Sequence, residues 1–250
     1  MQHSTGAAPG DTRMDLGLKD RVAVVAGASR GLGRATAQAL LAEGAKVVAV
    51  ARASEALASL AAQHPDRCVA FEGDLLDPSL PGQAVQEALR RFGRLDIAVV
   101  NTPGPKPLLP LEAGEPDFAA AFDSTFYPAW RQVRAAAEAM KAARWGRIVI
   151  VSSTSVKAPK PFLCLSAAAR SALWAWAKSA APELYAQGIT INALFAGPHD
   201  TDRARQLGVK DKVIGRPDDF GRFVASLCGD ATRFITGAGY MLDGGESPAP

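Results

Sequence analysis

Arg21-Val-Ala-Val-Val-Ala26, followed at once by Gly27-Ala-Ser-Arg-Gly-Leu-Gly33 and then by Arg34-Ala-Thr-Ala-Gln-Ala-Leu-Leu-Ala-Glu43, decides the fold. The first segment is a short apolar run of the kind buried inside a sheet. The second is a glycine-rich turn, and the third has helix-forming composition and stops at Gly44, a natural residue just past a helix end. Ala45-Lys-Val-Val-Ala-Val-Ala51 is a second apolar run. Together they make a strand–turn–helix–strand unit of about 30 residues, the repeating unit of a parallel sheet.

The same alternation continues outward. Apolar runs at Cys68–Phe71, Leu95–Val100, Arg147–Val151, Ile189–Leu194 and Gly239–Leu242 lead to Asp74, Asn101, Ser152, Gly197 and Asp243. Helical segments are expected near Leu80–Phe92, Pro116–Ala143, Ser166–Gln187 and Asp218–Leu227. Strands alternating with helices of this size predict a single-domain α/β fold of the Rossmann type. Its doubly wound parallel sheet would have about seven strands, with helices on both faces. Residues 18–250 form that domain, and residues 1–17, small and polar without an apolar stretch, read as a disordered leader.

Composition excludes several classes of function. The 250 residues are 48% hydrophobic, enough for one sizeable core. A net charge of +3, without a block of basic residues, gives no case for nucleic acid. No apolar run reaches the length of a membrane span. Cys68, Cys164 and Cys228 are widely separated and odd in number, which argues against a disulfide framework and for a reducing, cytoplasmic setting. Cys164 is read as an inert, half-buried thiol.

Gly27, Gly31 and Gly33 follow a strand and open a helix, the context that gives a glycine motif meaning. Glycine lets the backbone approach a pyrophosphate, and the helix amino end supplies unpaired N–H groups and a partial positive charge. Ser29, Arg30 and Leu32 share this loop.

Taken with Ser152-Ser153, Gly188-Ile-Thr-Ile-Asn192, Phe234-Ile-Thr-Gly237 and Leu242-Asp-Gly-Gly245, the glycine segment resembles the short-chain dehydrogenase/reductase family. The nearest branch is that of the 3-oxoacyl-carrier-protein reductases, and the resemblance runs from Leu18 to Gly245. It implies a nicotinamide cofactor. Asp74 and Leu75 match the pair that contacts the adenine, and Asn101 and Gly104 match two of four residues of an Asn-Asn-Ala-Gly segment. Gly197 and Thr201 match a late loop against the pyrophosphate. NAD-preferring relatives carry an acidic residue at the end of the second strand, whereas this chain has Arg52 there and Arg30 in the glycine loop. Two guanidinium forks suit a 2′-phosphate, so NADP(H) is favoured over NAD(H). The alternative is that both are solvated surface charges.

The family's active site is Ser, then Tyr thirteen residues on, then Lys four beyond that. From Ser153 those slots hold Ser166 and Arg170, and the asparagine slot holds Thr125. A serine is shorter and far less acidic than a tyrosine, and an arginine does not relay protons, although by resemblance Arg170 would still bind the ribose hydroxyls of the cofactor. His199 beside the expected nicotinamide, and Lys157 in the segment that lines the pocket in relatives, are the surrogate proton donors to consider.

Three readings remain open on these residues. The first is an NADP(H)-dependent oxidoreductase acting on a ketone or alcohol of a small or carrier-bound metabolite, with an altered proton donor. The second is a non-redox dehydratase, cyclase or isomerase, and the third a catalytically silent NADP(H)-binding subunit. Resemblance also implies a homotetramer, with a dimer next, built through the helices near 118–143 and 166–187. An open pocket is expected under the segment 201–215, which includes Lys210 and Lys212.

Overall fold

The computed structural model describes residues 14–208 and 214–247. Most of the proposed leader, and with it Lys210 and Lys212, therefore lies outside the described residues.

Seven strands form one parallel sheet: β1 (Val22–Ala26), β2 (Lys46–Ala51), β3 (Cys68–Glu72), β4 (Ile97–Val100), β5 (Gly146–Ser153), β6 (Ile189–Ala196) and β7 (Gly239–Leu242). Their order across the sheet is β3-β2-β1-β4-β5-β6-β7. All pairings are parallel, with Ala23 opposite Val47 on one side and Ile97 on the other. Each strand was legible to within about two residues. Ser153 differs in one respect, since it is the last residue of β5 and not a loop residue beyond it.

Among the described residues eight α-helices accompany the sheet: α1 (Gly31–Ala42), α2 (Glu55–Gln63), α3 (Leu80–Phe92), α4 (Glu115–Ala121), α5 (Tyr127–Met140), α6 (Cys164–Tyr185), α7 (Asp202–Gln206) and α8 (Pro217–Cys228). Strand side chains alternate between the two faces. Val22, Ala98 and Val100 join α3, α5 and α6 in one core. Ala23, Ile97 and Val99 join α1, α2 and α8 in the other. The sequence reading passed over α2 and α7. The first is short but properly begun, with Ser54 Oγ accepting from the Leu57 N–H. The second is five residues long and capped by Thr201.

The long helical segment expected over 116–143 is interrupted. Residues Phe122–Phe126 form a π-turn in which the Tyr127 N–H reaches back five residues to Phe122 O. Pro128 explains it: proline has no N–H to continue the α-helical ladder and crowds the carbonyl four residues earlier. The extra residue rotates Thr125 inward, where it is fully buried.

At the amino ends of the strands, fully buried Asp96 accepts from the Val22 N–H at 2.9 Å. It also pairs with Arg21 at 3.1 Å and Arg94 at 2.6 Å. Trp145 stands beside this cluster with Arg21 and Arg147 guanidiniums 3.7 and 4.2 Å from its ring. All phosphate-loop and hydroxyl features lie at the opposite, carboxyl end.

Candidate nucleotide cleft and hydroxyl cluster

The strand order reverses between β1 and β4, and the crevice beyond their carboxyl ends is where open α/β sheets bind ligands. Gly27 sits there with φ +68°, a conformation few side chains tolerate, and a Cβ would strike the Asn101 amide at 2.6 Å. At Gly33 a Cβ would lie 2.3 Å from Gly27 O, so helix α1 can start this close to the turn only with glycine. Gly31 packs on the Thr201 methyl. Ala28 N–H donates to Val50 O at 3.1 Å, tying the turn to β2.

Helix α1 has no side-chain cap and no acidic residue in its first turn. Its first N–H groups thus face the crevice with only the helix dipole behind them, which fits a phosphate. Arg30 is exposed and lies 3.7 Å from Asp202 of α7, while Arg52 is exposed at the end of β2. Ser29 and Leu32 are half-buried within the turn. Asp74 is exposed and accepts from the Leu76 N–H at 2.9 Å; Leu75 lines an apolar recess with Val24, Val50 and Val100.

The loop after β4 is gripped from four sides. Gln132 of α5 donates to Asn101 O at 3.4 Å, and Arg170 of α6 to Thr102 O at 3.4 Å. Thr125 of the π-turn donates to Pro103 O at 3.1 Å, and Arg203 of α7 to Pro105 O at 3.3 Å. The Arg203 guanidinium also lies over Gly104. The Thr125 hydroxyl is thereby engaged by the main chain, in a positioning role for this loop.

Ser153 Oγ accepts from both the Ser155 N–H, at 3.2 Å, and the Ser155 hydroxyl, at 3.0 Å. A hydroxyl has two acceptor positions and one proton. Ser153 is thus held in place by the Ser155 main chain and hydroxyl at the carboxyl end of β5. Ser155 is 1% exposed, and sequence reading missed it although a serine two residues on is the usual partner in such a turn.

Ser166 and Arg170 stand one turn apart on α6, each 8% exposed. Arg170 Nε donates to Ser166 Oγ at 3.3 Å and Nη1 to Val151 O at 3.1 Å. Burial first, and then the charge of Arg203, lower the Arg170 pKa to about 10, below the value above ~12 expected from sequence. It remains a cation at neutral pH.

The surrogate proton donors are not brought to this cluster. His199 is buried with Nδ1 3.0 Å from Gly197 O and its ring edge-on to Phe220, 5.4 Å away, under α8. Gly215 packs on the same ring. Lys157 is exposed, and Lys160 pairs with Glu246 at 3.0 Å. Thr201 caps α7, accepting from the Ala204 N–H at 3.3 Å, and Gly197 packs tightly on Asp243. Cys164 is half-buried, donating to Leu108 O at 3.2 Å.

Known proteins share this architecture. The chain is 29% identical over 240 residues to a 3-oxoacyl-[acyl-carrier-protein] reductase of Synechocystis sp., covering 91% of this chain and 97% of that one. It is 30% identical over 256 residues to cis-4-hydroxycyclohexanecarboxylate dehydrogenase of Sinomonas cyclohexanicum, with 93% and 98% covered. Among solved structures it superposes with a TM-score of 0.87 on YwfH, an NADPH-dependent reductase involved in bacilysin biosynthesis, at 25% identity over 93% of this chain and all of that one. The family model for short chain dehydrogenase matches residues 21–212, which takes in both the glycine turn and the hydroxyl cluster. On that match, and with the switch-point crevice built as described, the chain belongs to the short-chain dehydrogenase family.

Proposed function

We propose that the chain is an NADP(H)-dependent oxidoreductase of a ketone/alcohol pair on a small or carrier-bound metabolite, in which hydroxyl donors stand where relatives have an acidic tyrosine. The observation that carries this reading is the position of the Ser153 hydroxyl, fixed by Ser155 at the carboxyl end of β5, the strand whose Val151 carbonyl is bonded by Arg170 of the Ser166–Arg170 pair. The curated relatives named above are a carbonyl reductase and an alcohol dehydrogenase, which supports the same reaction class.

The residues present fit the cofactor. Gly27, Gly31, Gly33 and the uncapped start of α1 would hold the pyrophosphate, with Asp74, Leu75, Asn101 and Gly104 along the adenosine and Gly197 and Thr201 opposite. Arg30 and Arg52 would take the 2′-phosphate, which requires Arg30 to leave Asp202. Bound, the nicotinamide supplies or accepts hydride at the substrate carbon. Ser153 then donates a hydrogen bond to the substrate oxygen and polarises it. Ser166, accepting from the Arg170 guanidinium, directs its own proton the same way. Neither hydroxyl is acid enough to surrender its proton outright, so water is the final proton source and turnover is slow against a tyrosine-bearing relative; a positioned acid is worth ~10²–10⁴ in rate.

Arg52→Ala tests the cofactor. NADPH affinity should fall about tenfold or more while NADH affinity stays within twofold, read by titration; equal losses would overturn the assignment to the 2′-phosphate. A second reading, a non-redox enzyme on the same frame, is favoured by one observation: Arg170 is fixed to two main-chain carbonyls, where a relay lysine would be mobile. Substrate conversion without change in nicotinamide absorbance would select it. Binding of NADPH with no conversion of any carbonyl compound would select a silent subunit.

A homotetramer in the cytoplasm is the assembly and setting we infer. Partly exposed Phe118 and Tyr127 on the α4–α5 face and Tyr185 at the end of α6 support the former. No helix among the described residues is long and apolar enough to cross a membrane.

A further inference from the structure

We propose that Arg170 and Arg203 together form an anion site for a carboxylate on the substrate, so that the compounds turned over are oxo or hydroxy acids. The inference rests on the oxidoreductase reading and narrows its substrate class.

The geometry begins with the loop after β4. Arg170 comes to it from α6 and bonds Thr102 O; Arg203 comes from α7, across the crevice, and bonds Pro105 O. Two guanidiniums from different elements thus converge on carbonyls three residues apart. Carbonyl oxygens and the Ser166 hydroxyl satisfy some of their N–H groups but leave both charges in place. Among the described residues neither arginine is in an ion pair. The carboxylates at the start of α7 and just before it are occupied elsewhere, Asp202 by Arg205 and Arg30 and Asp200 by Arg205.

Arg170 is buried without a counter-charge, which is costly, while Arg203 is exposed to solvent and adds a second positive charge nearby. Such an arrangement persists where a ligand supplies the negative charge. The depressed pKa of Arg170, part of it due to Arg203, reports the same shortage of negative charge. Each guanidinium has N–H groups beyond those bonded to carbonyls, and a planar carboxylate matches that fork. The cofactor phosphates already have a cradle at the β1 and β2 ends. The Arg170 charge instead touches Ser166, the residue in the family's tyrosine slot. A carboxylate held there places a neighbouring carbonyl or alcohol carbon within the hydroxyl cluster.

The test compares acid with ester, and charge with its removal. Levulinate and phenylpyruvate, each beside its methyl ester, are titrated by ligand-observed NMR into the full chain saturated with NADPH. The expected result is that at least one acid binds ten times more tightly than its ester. Arg203→Met should then erase most of that preference while the ester's own affinity stays within twofold. Arg170→Lys keeps the charge without the fork and should give an intermediate loss, with its fold checked by circular dichroism. Acid and ester behaving alike, including no binding of either, overturns the proposal. So does an acid preference that survives Arg203→Met. A loss of NADPH affinity as large as the loss of acid affinity also overturns it, because the anion would then be the cofactor's own pyrophosphate. If the wild-type chain binds no NADPH, the oxidoreductase reading fails by itself, and the same acid–ester comparison on the bare chain still decides this inference.

Discussion

Ser155 holds the Ser153 hydroxyl through two donated hydrogen bonds, so its removal should act on the chemistry and hardly on binding. Ser155→Ala keeps the N–H bond and loses the hydroxyl bond. We expect kcat for ketone reduction to drop about fivefold with KM unchanged, and Ser155→Thr to restore most of it, since a hydroxyl hydrogen bond is worth about 1 kcal/mol. A KM rise with unchanged kcat would show Ser155 to be a packing residue. At this scale the sequence was informative about identity and silent about direction. Ser153, Ser166 and Arg170 were found by spacing alone. That Thr125 would be engaged by Pro103 O and that His199 would turn under α8 depend on contacts between residues far apart in the chain. Arg203, two residues past Thr201, drew no notice because nothing in the sequence tells that an arginine crosses a cleft.

Elements decide which thiols react. Cys68 opens β3 and Cys228 closes α8, and burial pushes their pKa values up to about 11 and about 12. Both stay protonated through neutral pH, and a thiol is not a nucleophile. Mass spectrometry after iodoacetamide at pH 8 should therefore find the native chain modified at Cys164 well before the other two. Folding raises both pKa values above the 9.0 of an exposed thiol, so the native state retains protons that the unfolded chain releases. Their contribution to stability is complete below about pH 9 and declines as pH climbs toward 11. Melting temperatures that rise between pH 9 and 10 would contradict this. Strands were the most legible elements, because each is a compact apolar run. Helix α2 was passed over for its brevity, although Ser54 marks its start. The π-turn left a trace in Pro128, yet a proline near the start of a helix is ordinary, and only the Tyr127-to-Phe122 bond discloses the extra residue.

For the whole molecule, the far end of the sheet matters as much as the cleft. Asp96 is fully buried, accepts from β1 and neutralises Arg21 and Arg94, so it ties β4 to β1 at the centre of the sheet. Asp96→Ala should cost about 3–5 kcal/mol, the usual penalty for stripping one partner from a buried ion pair. That corresponds to a fall in Tm of roughly 10 °C for a domain of this size. A calorimetric loss under about 2 °C would show the cluster to be solvated. The doubly wound architecture was readable from the alternation of strand and helix. The placement of Asp96 was not, since nothing inside the run Leu95–Val100 tells that this carboxylate meets β1 and two arginines until the strands are laid side by side.

The strand order also has a consequence for how the chain is made. A ribosome delivers β1 first, yet β1 ends in the middle of the sheet. In the order β3-β2-β1-β4-β5-β6-β7 each strand, as it emerges, joins the outside of those already paired: β2 and β3 on one flank, then β4 to β7 in turn on the other. No strand has to be inserted between two that have already closed. The nascent domain grows by accretion, and its one waiting edge is β1 until Ile97–Val100 has left the exit tunnel.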